Sequence, residues 1–130
     1  MAIEGAYFYI TGGRCRGKTL STCERYSFER KVWEKTISLI ENRGSHGSAA
    51  LDGKLYVMGG GGFKSNLATC EVLDTKTGEW NLIAPMQSFR HALSIARIGT
   101  DIYAVAGWID GSKCVKYLEK YDTKTDKWSW

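Results

Sequence analysis

Short apolar stretches separated by turn residues run the length of the chain, and none shows sustained helical periodicity. Residues 6–11 are rich in aromatic and β-branched side chains and stop at Gly12-Gly13, as a buried strand ended by glycines does. Residues 21–26 and 32–37 read as two more strands, and the polar, basic residues 14–20 as a connecting loop. After a crossing loop at 38–45, strands are predicted at about 46–51, 54–59, 67–73 and 79–83. Asp52-Gly53 joins the first two of these, because Asp-Gly readily takes the positive φ values of a two-residue turn, and the stretch from Asp74 to Gly78 joins the last two. The pattern then recurs at 92–97, 102–106 and 115–121, with a last strand beginning at Lys127. The reading is all-β, with eleven short antiparallel strands falling into groups of four.

The groups are repeats. Tyr9, Tyr56 and Tyr103 lie 47 residues apart, as do Gly13, Gly60 and Gly107. Trp33, Trp80 and Trp128 lie 47 and then 48 apart, as do Glu24, Glu71 and Glu119, so one residue is inserted between Gly107 and Glu119. A period of this size marks a stacked architecture. The stretch from Arg43 to Met86 is the one complete copy, which divides the chain into residues 1–38 (a unit lacking its first strand), 39–86 (complete) and 87–130 (cut within its last strand). Four-stranded units of this length suit the blades of a β-propeller. The small residues at 47–50 and 92–96 then fit an innermost strand crowded at the axis, and the tryptophans fill the gaps between blades.

Composition narrows the functions. A net charge of +4 carried by residues of mixed sign gives no support to a nucleic-acid or membrane partner. No apolar run approaches spanning length, and residues 1–5 lack the features of a signal peptide, so a reducing, cytoplasmic setting is expected. Cys15, Cys23, Cys70 and Cys114 then read as free thiols, and Cys23 and Cys70, at the same position of successive repeats, stand too far apart to bridge.

The repeated landmarks resemble those of kelch repeats: an apolar run ending in Gly-Gly, then Glu-x-Tyr-Asp, then Trp. They stand as Tyr9-Ile10-Thr11-Gly12-Gly13, Glu24-x-Tyr26 and Trp33; as Tyr56-Val57-Met58-Gly59-Gly60, Glu71-x-Leu73-Asp74 and Trp80; and as Tyr103 to Gly107, Glu119-x-Tyr121-Asp122 and Trp128. Leu73, Ala106 and Ser27 depart from the pattern without disturbing the spacing. The resemblance covers nearly the whole chain and implies an incomplete propeller of about 2.75 blades, since a kelch ring usually holds about five to seven. A fragment or an assembling half is expected, with uncovered apolar faces that favour self-association.

The resemblance is closest to the kelch domains of BTB-kelch adaptors, and it implies recognition of a substrate protein for a cullin-type ubiquitin ligase. A cytoskeletal, actin-binding scaffold is the first alternative, and an enzyme like galactose oxidase or a sialic-acid isomerase the second. In kelch propellers partner contacts lie on loops between the second and third strands and between successive blades. Here these loops hold Arg14, Arg16 and Lys18; Arg43 and Ser45; Phe63, Lys64, Ser65 and Asn66; Arg90 and His91; and Trp108, Asp110 and Lys113. Seven of these residues are basic, and arginine forks beside Phe63 and Trp108 suit an acidic peptide or degron with an apolar anchor. Arg43 and Arg90 equally suit a structural bond repeated in each unit. Chemistry finds little support. His46 and His91 are the only histidines, too few for a ligand set, and no nucleophile-base pair or phosphate-cradling loop is present, so neither catalysis nor a cofactor is expected. Cys15 and Cys114, flanked by cations, could become reactive thiols or be ordinary loop cysteines.

Overall fold

The computed structural model describes residues 1–62 and 65–130 and contains three four-stranded antiparallel sheets. The first is built from β1 (Ala2–Glu4), β2 (Tyr7–Thr11), β5 (Cys23–Ser27) and β6 (Val32–Lys35), in that spatial order, with a small hairpin of β3 (Arg14–Cys15) and β4 (Lys18–Thr19) between β2 and β5. The second holds β7 (Gly47–Leu51), β8 (Lys54–Met58), β9 (Cys70–Asp74) and β10 (Glu79–Ile83). The third holds β11 (Ser94–Ile98), β12 (Asp101–Val105), β15 (Leu118–Asp122) and β16 (Lys127–Ser129), and a hairpin of β13 (Trp108–Asp110) and β14 (Lys113–Cys114) separates β12 from β15.

One expectation about the units is corrected here. The first unit does not lack its innermost strand: Ala2, Ile3 and Glu4 pair with Tyr9, Phe8 and Tyr7, and Gly5 turns between the strands at φ +58°. Three residues are too few to display alternation, so the strand is invisible to periodicity. The fourth strand of the third unit begins at Lys127 as expected and is short, pairing three residues where the equivalent β10 pairs five. The sheets form an open stack rather than a closed ring. Strands β9 and β15 also begin about three residues later than predicted. The Leu67 and Val115 amides are drawn away to the carbonyls of Gly60 and Gly107, at 2.7 and 2.8 Å.

The turn chemistry behaves as the residues dictate. Asp52 and Gly53 take φ of 51° and 73°, and Leu51 faces Lys54 across the turn. At the β9–β10 turn the Asp74 carboxylate accepts the Lys76 amide at 2.9 Å, and Asp122 does the same for Lys124 at 2.9 Å.

The middle sheet is buried on both faces, which explains the unbroken run Leu55-Tyr56-Val57-Met58. Leu55, Val57, Leu73 and Trp80 pack with Tyr9 and Cys23 of the first sheet and Leu39 of the link that follows it. On the opposite face Tyr56, Met58 and Cys70 pack with Ile102, Ala104 and Tyr121 of the third. Trp80 donates its indole N–H to the carbonyl of Ile37 in the loop before its own sheet (3.0 Å), and Trp128 repeats the bond to Ala84 (2.8 Å). These two wedges stand as expected between sheets. Trp33 faces no neighbouring sheet. The inner strands β1, β7 and β11 run side by side along one edge of the stack. Gly47 is required there, because a Cβ on it would lie 2.1 Å from Cγ1 of Ile95.

Candidate partner-binding face

In an antiparallel sheet whose strands follow one another, the second-to-third connections and the links to the next sheet emerge at the same end. Residues 12–22, 36–46, 59–62, 65–69, 84–93 and 106–117 therefore share one face of the stack. Two arginines fasten this face from beneath. Arg43 is fully buried; its Nε and Nη2 donate to the Glu71 carboxylate at 3.0 and 2.8 Å, and its Nη1 donates to the carbonyls of Gly59 and Thr69 at 2.9 and 2.8 Å. Nη2 also reaches Glu41 at 3.0 Å. The same Glu71 carboxylate accepts the amides of Ile40 and Glu41 at 2.6 and 3.1 Å, so one ion pair ties β9, the glycine loop and the incoming link together.

The third sheet repeats the device more sparsely. Arg90, also fully buried, pairs with Glu119 and donates to the Ser88 hydroxyl at 2.7 Å and the Ala106 carbonyl at 3.1 Å. Its Nε is left without a partner. The placing of Arg43 and Arg90 on a partner-contacting rim is thus corrected: apart from the Arg90 Nε, their forks are turned to carboxylates, carbonyls and the Ser88 hydroxyl inside the fold. Glu71 and Glu119, which close these braces, carried no site role in the sequence reading, although the constant spacing from arginine to glutamate, 28 residues and then 29, was present in it.

His46 is structural as well. His46 Nε2 lies 2.8 Å from the Thr11 hydroxyl; burial first, then the positive charges of the N-terminus and Arg43, lower its pKa to about 4. His91 exchanges backbone hydrogen bonds with Trp108 at 3.0 and 2.8 Å, and its ring is half-buried. Among the described residues no three His, Cys, Asp or Glu side chains converge on a metal-sized point.

What remains accessible forms a track across the three sheets. Arg14, Arg16 and Lys18 are exposed on the β3–β4 hairpin, whose turn has Arg16 and Gly17 at φ 48° and 79°. Arg14 leans towards the second sheet, its Nη2 standing 3.3 Å from the place a Cβ on Gly61 would occupy. Gly61 bridges to Asn66, and Asn66 Nδ2 donates to the carbonyl of Ile109 in the third. Beyond it lies a groove of about 510 Å³ lined by Ser65, Asn66, Phe89, Ile109 and Asp110. Trp108 and Lys113 are exposed on the adjoining hairpin, and Ser45 is exposed with its carbonyl accepting the Ala92 amide at 2.8 Å. Phe63 and Lys64, also expected on this face, lie outside the described residues.

Asp110 is held in place: its Oδ1 accepts the Ser112 amide and hydroxyl and the Lys113 amide at 2.8, 2.8 and 2.9 Å, and the Ser112 bonds hold its carboxyl below the usual range. Phe89 and Ile109 were missed as site residues. Their signal was an apolar side chain set among polar ones in a connecting loop, with 49% of Phe89 left open to solvent.

Sheets stacked face to face along adjoining inner strands, with a tryptophan wedged at each junction and all the long loops on one face, are blades of a β-propeller. The Kelch motif model matches residues 42–87 and 90–129, and the chain belongs to the kelch-repeat family, whose repeats build protein-interaction domains. It is 32% identical to rat Kelch-like protein 7 over 117 residues, 90% of this chain and 20% of that one. It is 31% identical to zebrafish (Danio rerio) Kelch-like protein 26 over 125 residues, 93% and 21% of the two chains. It is 25% identical to a RING finger domain and kelch repeat-containing protein of Dictyostelium discoideum over 126 residues, 94% and 12%. The chain thus spans about a fifth of the first two relatives and less of the third.

Proposed function

We propose that the loop face recognises an extended acidic segment of a protein, as the substrate-binding part of a cullin-type ubiquitin ligase adaptor. The observation that carries this reading is the continuous track from the basic β3–β4 hairpin, past Gly61 and Asn66, to the apolar groove at Phe89 and Ile109. A peptide lying along it meets three free cations at one end and an apolar seat at the other. With Arg43 and Arg90 withdrawn, Arg14, Arg16 and Lys18 stand together on the β3–β4 hairpin and Lys113 on the far one, while fixed Asp110 is the charged residue lining the groove and disfavours acidic residues there. That polarity sets the direction of the peptide: acidic residues over Arg14, Arg16 and Lys18, apolar anchor at Phe89. The ligase assignment rests on the likeness to Kelch-like proteins and on a relative named for carrying a RING finger beside its kelch repeats.

Selection of phage-displayed random 12-residue peptides on the chain tests the reading. Enriched peptides are expected to combine two or more acids with a leucine or aromatic residue and to bind less tightly as salt rises. Phe89→Ala, and separately Arg14→Glu with Arg16→Glu, should each weaken a selected peptide about tenfold or more, roughly the 1.4 kcal/mol that separates decades of affinity. Enrichment of peptides without acids, or equal binding by both variants, would refute the proposal.

A further inference from the structure

The two junctions between sheets are built from the same positions, and at one of those positions they differ in charge. At the second junction the turn between β15 and β16 places Asp126 at φ 53°, and its Oδ1 accepts the Ala84 amide and the Tyr121 hydroxyl, both at 2.8 Å. A carboxylate thus closes the link where it passes the turn. The first junction has the same backbone. Gly78 takes the turn position at φ 75°, and Ile37 stands where Ala84 does, since each gives its carbonyl to the indole of the wedged tryptophan, Trp80 or Trp128.

The carboxylate itself has no counterpart there. A Cβ on Gly78 would meet nothing within 4 Å, and Leu73 stands in the place from which Tyr121 supplies its hydroxyl. Among the described residues the Ile37 amide meets no acceptor. A cavity of about 200 Å³ opens at this point between the first two sheets, with Tyr9, Ile37, Leu73 and Gly78 in its walls. That is below the roughly 300–1,000 Å³ of sites for drug-sized ligands, so whatever enters is small.

The wall is also cationic. Arg25 faces Tyr9 across β2 and β5, whereas the equivalent pair of the second sheet is Tyr56 with the apolar Val72. Arg25 and Lys35 both line the cavity. The Arg25 fork is fixed, because its Nε donates to Glu34 at 2.8 Å and its guanidinium carbon lies 4.0 Å from the centre of the Tyr7 ring. Its two Nη groups have no carboxylate partner among the described residues. Glu34 is shared with Arg30, so the two arginines and one glutamate keep a positive charge, to which Lys35 adds.

We propose that this cavity binds a small carboxylate anion, held by the Arg25 guanidinium and the Ile37 amide in the place that Asp126 fills from within at the next junction. A guanidinium and a backbone amide can serve the two oxygens of one carboxylate with charge-assisted bonds. The site shares no residue with the track across the loop face and stands independently of it.

Titration of the isotope-labelled chain with sodium acetate at neutral pH, followed by amide NMR against sodium chloride at equal ionic strength, reads the site directly. The Ile37 and Gly78 amides should move together along one saturable curve, with a dissociation constant on the order of millimolar for so small a ligand. Equal movement in chloride, or no saturation by about 100 mM, overturns the proposal. Gly78→Asp rebuilds the carboxylate of the second junction, at a left-handed position that Asp126 shows to accept aspartate. In that variant the Ile37 amide should stand near its acetate-bound position and respond no further, and a response equal to that of the unmodified chain refutes the placement. Arg25→Gln should weaken acetate about tenfold or more, and undiminished affinity refutes the role of the guanidinium. Should Arg25→Gln lose its β-sheet circular dichroism, the unmodified chain and Gly78→Asp decide.

Discussion

Replacing Arg43 by methionine keeps the length of the side chain and removes the charge, which isolates the electrostatic role of the brace. The Glu71 carboxylate then stays buried with only the Ile40 and Glu41 amides to satisfy it, and the carbonyls of Gly59 and Thr69 lose a donor. Breaking a buried pair from one side costs about 3–5 kcal/mol, because the desolvated partner is left uncompensated. At this chain length that lowers the melting temperature by roughly 12–20 °C. Arg90→Met should cost less, since Arg90 already has an idle Nε and fewer carbonyl partners. The decisive measurement is a double-mutant cycle by urea unfolding at fixed protein concentration. Glu71→Gln should destabilise the unmodified chain, where it leaves Arg43 only the half-buried Glu41 as counter-charge. In the Arg43→Met background it should stabilise by about 1 kcal/mol or more, because it removes the orphaned charge. Additive effects, or an Arg43→Met cost below about 1 kcal/mol, would show that the pair does not carry the link between the loop face and the sheet.

His46 gives the fold a pH dependence of defined sign. Its folded pKa of about 4 lies below the ordinary value of 6.5, so its neutral form contributes fully above that value and the contribution is lost as pH falls towards 4. Between pH 7 and pH 5 the loss should be about 2 kcal/mol in urea unfolding, and His46→Gln should flatten that part of the profile; an unchanged slope in the variant would refute it. A thiol reagent at neutral pH should modify Cys15 and Cys114 quickly and leave Cys23 and Cys70 untouched until the chain unfolds. Both slow thiols are buried, and burial pushes Cys70 up to about 12; four equal reaction rates would contradict that placement.

The repeat was legible because the same packing problem is solved three times with the same residues. Trp80 and Trp128 sit where their spacing placed them, and Asp52-Gly53 makes its two-residue turn because the geometry is local. Strand β1 was hidden because three residues cannot show a period. The late starts of β9 and β15 were hidden because the competition of the glycine loops for the Leu67 and Val115 amides is settled between segments some eight residues apart.

The site divides along the same line. A connecting loop rich in basic residues could be read directly, and Arg14, Arg16 and Lys18 are indeed open to solvent. Sequence by itself fixed the period, the all-β class, the kelch pattern and the end of the stack at which the loops collect, since these follow from chemistry within one repeat. Only the folded stack decided that Arg43 and Arg90 point inward, and that Phe89 and Ile109 share a groove. Each of those depends on a partner contributed by a neighbouring strand or sheet, and a one-dimensional pattern does not record which neighbour arrives.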